Sequence, residues 1–259
     1  MDGFIKLSNF SLIAPYAELF QQGMLVTVLL SLFTVAIGFC IALLLALMRL
    51  SNFRPLRFLG LDRDGHQREG GVLAVISRFN PLSFLATAYV EILRSTPVIV
   101  QIFIIYYGVF SMIQRPSFRM FGFIKFDRFF PGVVALGMNS GAYLCEIIRA
   151  GIQSIDGGQT EAARSLGMSS AQTMRYIIIP QAFKIIVPAL GNEFIALIKE
   201  TAILSVAGIV EITRRGQLWA SQSFLSFQAY IGVAVIYLIM TLTLSRIVAY
   251  LERRMAQGD

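Results

Sequence analysis

The sequence predicts an all-α integral membrane protein with about five transmembrane helices. Hydrophobic residues make up 56% of its 259 residues and charged residues 14%, whereas soluble globular chains carry about 25% charged residues. The apolar residues are concentrated in blocks, and a helix that crosses a bilayer needs roughly 20 of them. Basic residues flank these blocks, so the net charge of +7 indicates membrane topology and not a nucleic-acid-binding patch.

Five blocks are long and apolar enough to cross a bilayer. They cover approximately residues 24–48, 82–110, 132–152, 182–209 and 229–251. In the first block, Thr27, Ser31 and Thr34 are spaced four and three apart, which places them on one helical face. We expect this face to pack against another helix. In the second block, Pro97 predicts a kink or an interruption.

The segments between the blocks predict the topology. Residues 49–81 are rich in arginine and glycine, which indicates a cytoplasmic loop by the positive-inside rule. His66 lies in this loop and is expected to be solvated. The N-terminal segment, 1–22, is then periplasmic, and it is either a short interfacial helix or an ordered tail. Residues 154–180 and 252–259 return to the cytoplasm, so the N-terminus is predicted outside and the C-terminus inside.

The second cytoplasmic segment reads GGQTEAARSLGMSSAQTMRYIIIPQA and predicts two short helices. Thr160 is the expected cap of the first, with Glu161 at the positive end of its dipole. Ala162 and Ala163 give this helix a small-residue face that another surface can approach closely. Gly167 is expected to end it.

The second short helix has a clear start in the sequence. Ser169 and Gln172 have the spacing of a capping box. Pro180 is expected to limit this helix, because proline disfavours helical conformation in the residue before it. The two helices together predict a compact helix–turn–helix projecting between two membrane spans.

This stretch resembles the EAA loop of ABC importer permeases, in which Glu-Ala-Ala is followed at fixed spacing by glycine, isoleucine, leucine and proline. The matching residues are Glu161, Ala162, Ala163, Gly167, Ile177, Ile179 and Pro180. Ile179 stands where the family has leucine, which is a conservative departure. Residues 94–107, 139–155 and 188–206 resemble the polar amino acid uptake branch, of the histidine/glutamine/arginine type. The loop at 52–80 is longer than is usual there.

The resemblance implies a type I ABC importer permease architecture. It further implies a permease subunit of the bacterial inner membrane that translocates polar amino acids by alternating access. ATP is then hydrolysed by a separate ABC ATPase subunit in two copies, and the sequence has no GxxxxGK[ST] phosphate loop of its own. The other implied partners are a second permease subunit, identical or homologous, and an extracytoplasmic solute-binding protein.

In the family, the coupling helix of the EAA loop docks in a groove on the ATPase. By this resemblance, Glu161, Ala162, Ala163 and Gly167 are the expected contact residues. The residues themselves indicate no catalytic site, cofactor or metal site, because no catalytic constellation and no metal-ligand spacing occur. A secondary transporter or channel is the main rival interpretation, and the EAA-type loop argues against it.

The translocation path is expected along the fourth block. Glu193 and Glu200 are seven residues apart and share one helical face, and Asn192 and Lys199 repeat that spacing beside them. Ionisable residues at membrane depth are functional candidates because they are costly to place there. Two carboxylates facing a cavity can hold the ammonium group of an amino acid. The alternative is that Lys199 neutralises a glutamate and fixes helix packing.

Four further residues are weaker candidates for the path. They are Thr201, Asn139, Ser140 and Thr96. The two in the third block can equally serve as hydrogen-bonding contacts between helices. The threonine of the second block precedes Pro97 and predicts a broken-helix site with freed backbone groups. Glu91 and Arg94 are expected to form a structural ion pair at i,i+3 spacing.

Overall fold

A computed structural model describes residues 16–51, 53–60 and 71–256. The predictions for most of the N-terminal segment, for His66 in the long loop and for the last three residues lie outside the described residues. The described part is helical apart from one short hairpin. The predicted all-α class is therefore confirmed.

The elements follow one another as the apolar blocks suggest. The first part contains α1 (Ala17–Leu50), a 3₁₀ turn (Arg57–Gly60), α2 (Val72–Arg78), α3 (Pro81–Ser95), α4 (Val98–Phe103) and a π-helical segment (Ile104–Val109). The middle part contains an antiparallel hairpin, β1 (Arg119–Met120) and β2 (Ile124–Lys125), then α5 (Phe126–Gln153), α6 (Gly157–Ser165), α7 (Ser170–Thr173) and a second π-helical segment (Met174–Ile178). The last part contains α8 (Ile179–Glu200), a 3₁₀ segment (Thr201–Ala207), α9 (Ile212–Ser223) and α10 (Ser226–Ala256).

Within the described residues, three helices can cross a membrane by length and composition. They are Ala17–Leu50, Ser170–Ala207 and Ser226–Met255. The pair α2 and α3, bent by 77°, is a fourth candidate. The 28 residues of α5 extend about 42 Å, which exceeds the hydrocarbon thickness of about 30 Å, although Asn139, Ser140 and Glu146 lower its hydropathy. The helix count agrees with about five transmembrane helices.

The close packing of α1 on α5 organises the bundle. A Cβ added at Gly141 of α5 would lie 2.7 Å from Ile41 Cγ2, and one at Gly137 would lie 2.9 Å from Ile37 Cγ2. Only glycine leaves room for this approach, as in the small-residue interfaces of membrane helices. The two glycines are one helical turn apart, so they let the two backbones meet along a common seam.

The polar face predicted on α1 is buried, as expected. Thr27, Ser31 and Thr34 are all fully buried. Ser31 Oγ donates a hydrogen bond to Thr27 O at 2.9 Å, and Thr27 Oγ1 accepts one from the backbone N–H of Ile212 at 3.5 Å. This face therefore packs against other helices and is withdrawn from lipid.

The structure confirms one proline expectation and corrects another. The second block is interrupted at Thr96 and Pro97, which are extended between α3 and α4. Pro180, however, does not end the helix that begins at Ser170. The chain stays helical through the second π segment, and Pro180 lies in the first turn of α8, where proline is well tolerated.

Candidate functional site

The first coupling helix begins earlier than the sequence indicates. Its N-cap is Asp156, whose carboxylate accepts a hydrogen bond from the backbone N–H of Gly158 at 2.6 Å. Thr160 lies inside α6, so its assignment as the cap is wrong. Glu161 is in the second turn and not at the positive end of the dipole, which corrects that expectation too. Aspartate is at least as good an N-cap as threonine, so Asp156 can start the helix one turn before Thr160.

The end of α6 is as predicted. Gly167 has φ +83°, a left-handed conformation that glycine adopts without strain. The backbone N–H of Met168 donates to Ala163 O at 3.1 Å, and that of Gly167 donates to Arg164 O at 3.0 Å. These two bonds form a Schellman motif, which fixes the direction in which the chain leaves the helix.

The capping box of the second short helix is also confirmed. Gln172 Oε1 accepts from the backbone N–H of Ser169 at 2.8 Å, and Ser169 Oγ accepts from that of Gln172 at 3.3 Å. Hydrogen bonds therefore fix the turn at both of its ends, at the C-terminus of α6 and at the N-terminus of α7. This arrangement favours movement of the two helices as one unit.

The coupling segment, the part of the chain from α6 to α7 (156–173), exposes a different set of residues from the predicted contact residues. Glu161 and Ala162 are exposed, whereas Ala163 is only 4% exposed and packs within the chain. Leu166, which the sequence analysis missed, is 84% exposed at the end of α6. The sequence feature that could have identified Leu166 is its position as a large apolar residue directly before Gly167, which ends the helix, in an otherwise polar loop. Leu166 lies on the same exposed segment as Glu161 and Ala162.

A polar network closes the break between α3 and α4. Gln101 Nε2 lies 2.7 Å from Leu93 O, 3.0 Å from Thr96 O and 2.8 Å from Thr96 Oγ1. Gln101 Oε1 accepts from Asn139 Nδ2 of α5 at 3.0 Å. The structure thus brings together two predicted path residues, Thr96 and Asn139. The backbone carbonyls at the break, Leu93 O and Thr96 O, were expected to be free for a solute but accept hydrogen bonds from Gln101. Gln101 was not among the predicted site residues.

Two other path candidates lie inside the chain. Ser140 is 1% exposed, and its Oγ would be 3.0 Å from a Cβ added at Gly38 of α1. Thr201 is fully buried, and its Oγ1 donates to Ile198 O at 2.7 Å. In this structure both side chains serve packing between helices.

The remaining candidates form a polar face on α8. Asn192 and Lys199 are exposed, and Glu193 and Glu200 are half-buried. Within the described part of the chain, none of these four side chains makes a hydrogen bond or a salt bridge. The alternative in which Lys199 neutralises a glutamate stays open, because no salt bridge joins them but the charge of Lys199 acts on the adjacent Glu200. Among the described residues, no other helix supplies a hydrogen bond or a salt bridge to these four side chains.

The ion pair expected between Glu91 and Arg94 is wrong. Arg94 Nη1 lies 4.0 Å from an oxygen of Glu146 on α5. Glu146 also bonds Arg49 Nη1 of α1 at 2.5 Å and Arg149 Nη2 at 2.6 Å. Because α3 packs against α5, its arginine reaches a carboxylate on the neighbouring helix and not the one on its own helix.

A buried carboxylate that the sequence analysis missed anchors α9. Glu211 is fully buried and accepts from the backbone N–H groups of Thr213 at 2.8 Å and Arg214 at 2.7 Å. It also accepts from Tyr237 Oη of α10 at 2.8 Å. Glu211 therefore caps α9 and fastens it to α10. An acidic residue directly before a short polar helix is the signal that could have found it.

Comparison with known proteins agrees with this geometry. Residues 70–257 match the family of binding-protein-dependent transport system inner membrane components. The probable glutamine ABC transporter permease protein GlnM of Bacillus subtilis (strain 168) is 35% identical, over 96% of this chain and 99% of GlnM. The arginine transport system permease protein ArtQ of the same strain is 32% identical, over 97% and 99%.

A solved structure shares the architecture. It is described as the crystal structure of an amino acid ABC transporter with histidines. The match has a TM-score of 0.78 and 40% sequence identity, and covers 95% of this chain and 98% of the other. The type I ABC importer permease fold expected from the resemblance is confirmed. The chain belongs to the binding-protein-dependent transport system inner membrane components, and it is a membrane-spanning permease subunit of an ABC transporter.

Proposed function

We propose that this chain pairs with a second permease subunit to enclose a path for polar amino acids such as glutamine or arginine. Two copies of a separate ABC ATPase drive the transport, and an extracytoplasmic solute-binding protein supplies the solute. The named relatives support this substrate class, because they are described as glutamine and arginine permeases. The second subunit is either a copy of this chain or a homologue.

The unpartnered polar face of α8 carries the proposal. Charged side chains at membrane depth do not face lipid; they face a partner, water or a solute. Within the described residues, Glu193, Lys199 and Glu200 make no hydrogen bond and no salt bridge, and the only opposite charge acting on Glu200 is that of its neighbour Lys199. A second subunit opposite α8 would enclose these groups in an aqueous path between the two chains.

Within that path, the carboxylates of Glu193 and Glu200 bind the positively charged group of the solute. Every amino acid carries an ammonium group, which a pair of carboxylates can hold by charge-assisted hydrogen bonds. Asn192 contributes an amide beside them. Asn139, Ser140, Thr96 and Thr201 lie in the supporting layer, where they fix the helices that line the path.

The segment from α6 to α7 is the contact for the ATPase. Glu161, Ala162 and Leu166 present an exposed surface, and the turn at Gly167 holds it in one direction. Ala163 supports this surface from inside. We place this segment and the C-terminus in the cytoplasm and the N-terminus outside, since arginines concentrate in the loop after α1. Outside labelling of a cysteine at Ser165 in intact cells would contradict this orientation.

Transport by reconstituted complexes tests the proposal. The permease is assembled with its ATPase and binding protein in liposomes, and uptake of labelled glutamine and arginine is measured. Glu200→Gln is expected to lower uptake about tenfold or more, the loss typical of one charge-assisted hydrogen bond. Glu252→Gln, on the exposed end of α10, is the control. Uptake without the ATPase and ATP would instead show a secondary transporter or a channel.

A further inference from the structure

A basic cluster joins α1, α3 and α5 just before the coupling segment. It contains Arg49, Arg94 and Arg149 around the single carboxylate of Glu146. Three positive charges and one negative charge leave the cluster a net charge of +2. Glu146 thus neutralises only part of the cluster, and an additional anion would be attracted to it.

The arginines also keep hydrogen-bond donors that the chain does not use. A guanidinium group has five N–H donors. In the described part of the chain, Arg49 donates through Nη1 to Glu146, and its Nε is buried without a partner, so only the N–H groups at the end of its guanidinium are open to a ligand. Arg149 bonds Glu146 and Gln153, and its side chain remains 43% exposed. A planar anion such as a carboxylate, or a phosphate, suits these unused donors.

A groove beside the cluster has an apolar wall. A cavity of about 70 Å³ lies between the last turns of α1 and α5. Its lining includes Arg49, Arg149, Ala46, Leu50, Ile148 and Ile152. The adjoining surface of α1 is apolar and exposed, with Leu47 at 66% and Leu50 at 56%. The groove therefore presents guanidinium groups at one end and an apolar surface along its side.

The depth of this groove matches the lipid headgroups. The apolar block 24–48 is followed directly by Arg49. As a helix it extends about 37 Å, somewhat more than the hydrocarbon thickness of about 30 Å. Arg49 therefore lies at the boundary between hydrocarbon and headgroups, where a lipid phosphate is also found.

We propose that this groove binds an anionic phospholipid of the inner leaflet. Its phosphate contacts Arg49 and Arg149, and an acyl chain lies along the apolar wall, in the manner of basic pockets between membrane helices. The assignment to the inner leaflet rests on the orientation proposed above. Because α5 continues from Arg149 to Gln153 and only three residues separate it from α6, a bound lipid would stabilise the helix that carries the coupling segment.

Native mass spectrometry of the intact complex tests the site. The complex is offered equal amounts of phosphatidylglycerol and phosphatidylcholine, and the retained lipids are counted. We expect phosphatidylglycerol to be preferred. Arg149→Gln should reduce its retention about fivefold, the effect of one arginine at an anionic lipid surface. Arg253→Gln, at the exposed end of α10, removes the same charge outside the cluster and should change retention by less than about twofold.

A second variant separates the groove from the charge. Ile152→Trp places a larger side chain in the apolar part of the groove and leaves both arginines in place. It should therefore also reduce retention of phosphatidylglycerol. It replaces Arg149→Gln where that variant fails to assemble. Equal retention of the two lipids, or equal losses in Arg149→Gln and Arg253→Gln, would overturn the proposal.

An inorganic phosphate arm distinguishes a lipid from a free anion. Phosphate added at millimolar concentration should not displace the lipid, because phosphate has no acyl chain to contact the apolar wall of the groove. Displacement would show a simple anion site and would overturn the lipid assignment. Lipid counting requires no transport, so a negative result here leaves the proposed transport function unaffected.

Discussion

At the residue scale, single amide and carboxyl side chains hold the interruptions of the helices together. Gln101 bonds the last carbonyls of α3 and joins them to Asn139 of α5. Glu211 bonds the first N–H groups of α9 and joins them to Tyr237 of α10. In each case one polar side chain replaces the backbone hydrogen bonds that a continuous helix would have. An interrupted membrane helix requires such a replacement, because lipid offers no hydrogen-bond partner to the backbone N–H and C=O groups at the break.

Removing the side chain of Gln101 should therefore destabilise the fold. Gln101→Ala leaves Thr96 O without a partner and leaves Leu93 O and the Asn139 amide with only the 3.4 Å hydrogen bond between them, which costs about 2 kcal/mol. We expect the melting temperature of the purified permease to fall by several degrees. Gln114→Ala, at an exposed loop position, should leave it unchanged. If Gln101→Ala melted like the parent protein and lost only transport, Gln101 would be a path residue and not a structural one.

At the element scale, the coupling segment is a rigid unit whose most exposed large apolar side chain is at its tip. The Schellman turn at Gly167 and the capping box of Ser169 and Gln172 fix α6 relative to α7. The continuation of α7 into α8 carries this arrangement directly into a membrane helix. A force applied at Leu166 would therefore reach the polar face of α8 without an intervening flexible loop.

The exposed side chain of Leu166 should anchor the ATPase. Leu166→Ala is expected to weaken ATPase binding by about tenfold or more, as for a buried interface anchor. Co-purification and ATPase stimulation by the permease in nanodiscs measure this effect. Leu218→Ala, on α9, removes a less exposed leucine away from the coupling segment and serves as the control. Full ATPase binding by Leu166→Ala would exclude this residue from the contact.

The sequence predicted local features better than contacts between helices. The buried face of α1, the break at Pro97, the turn at Gly167 and the capping box of Ser169 are all set by local spacing or by one special residue, and all are confirmed. The pairing of Arg94 with Glu146 and the role of Gln101 depend on which helices become neighbours. One sequence does not contain that information, because residues 94 and 146 are far apart along the chain.

Helix continuity at Pro180 was missed for a related reason. A proline near a predicted helix end suggests termination, but here it occupies the first turn of the next helix, directly after a π segment. The coupling residues Glu161, Ala162, Ala163 and Gly167 and the path residues on α8 remain predictions, since the roles proposed for them involve partners outside this chain.

At the scale of the whole molecule, the two sides of the bundle have different chemistry. The outward face of α1 exposes large apolar side chains such as Leu44 and Leu47, which suit contact with lipid. The outward face of α8 exposes Asn192 and Lys199, which do not. A single chain with one such face is an incomplete unit in a membrane. Two chains related by a twofold axis would cover both polar faces at once.

Cysteine cross-linking of the assembled complex tests this arrangement. Near a twofold axis the same residue of two subunits faces itself, so Asn192→Cys in a Cys40→Ser background should form a covalent permease dimer with a short bismaleimide. Leu44→Cys, on the lipid-facing side of α1, should not. The mass of the complex first shows whether the two permease chains are identical, and for a homologue the cysteine is placed in both chains. Cross-linking through Leu44→Cys instead of Asn192→Cys would place α1 at the subunit interface and leave the charges of α8 without the partner that a bilayer requires.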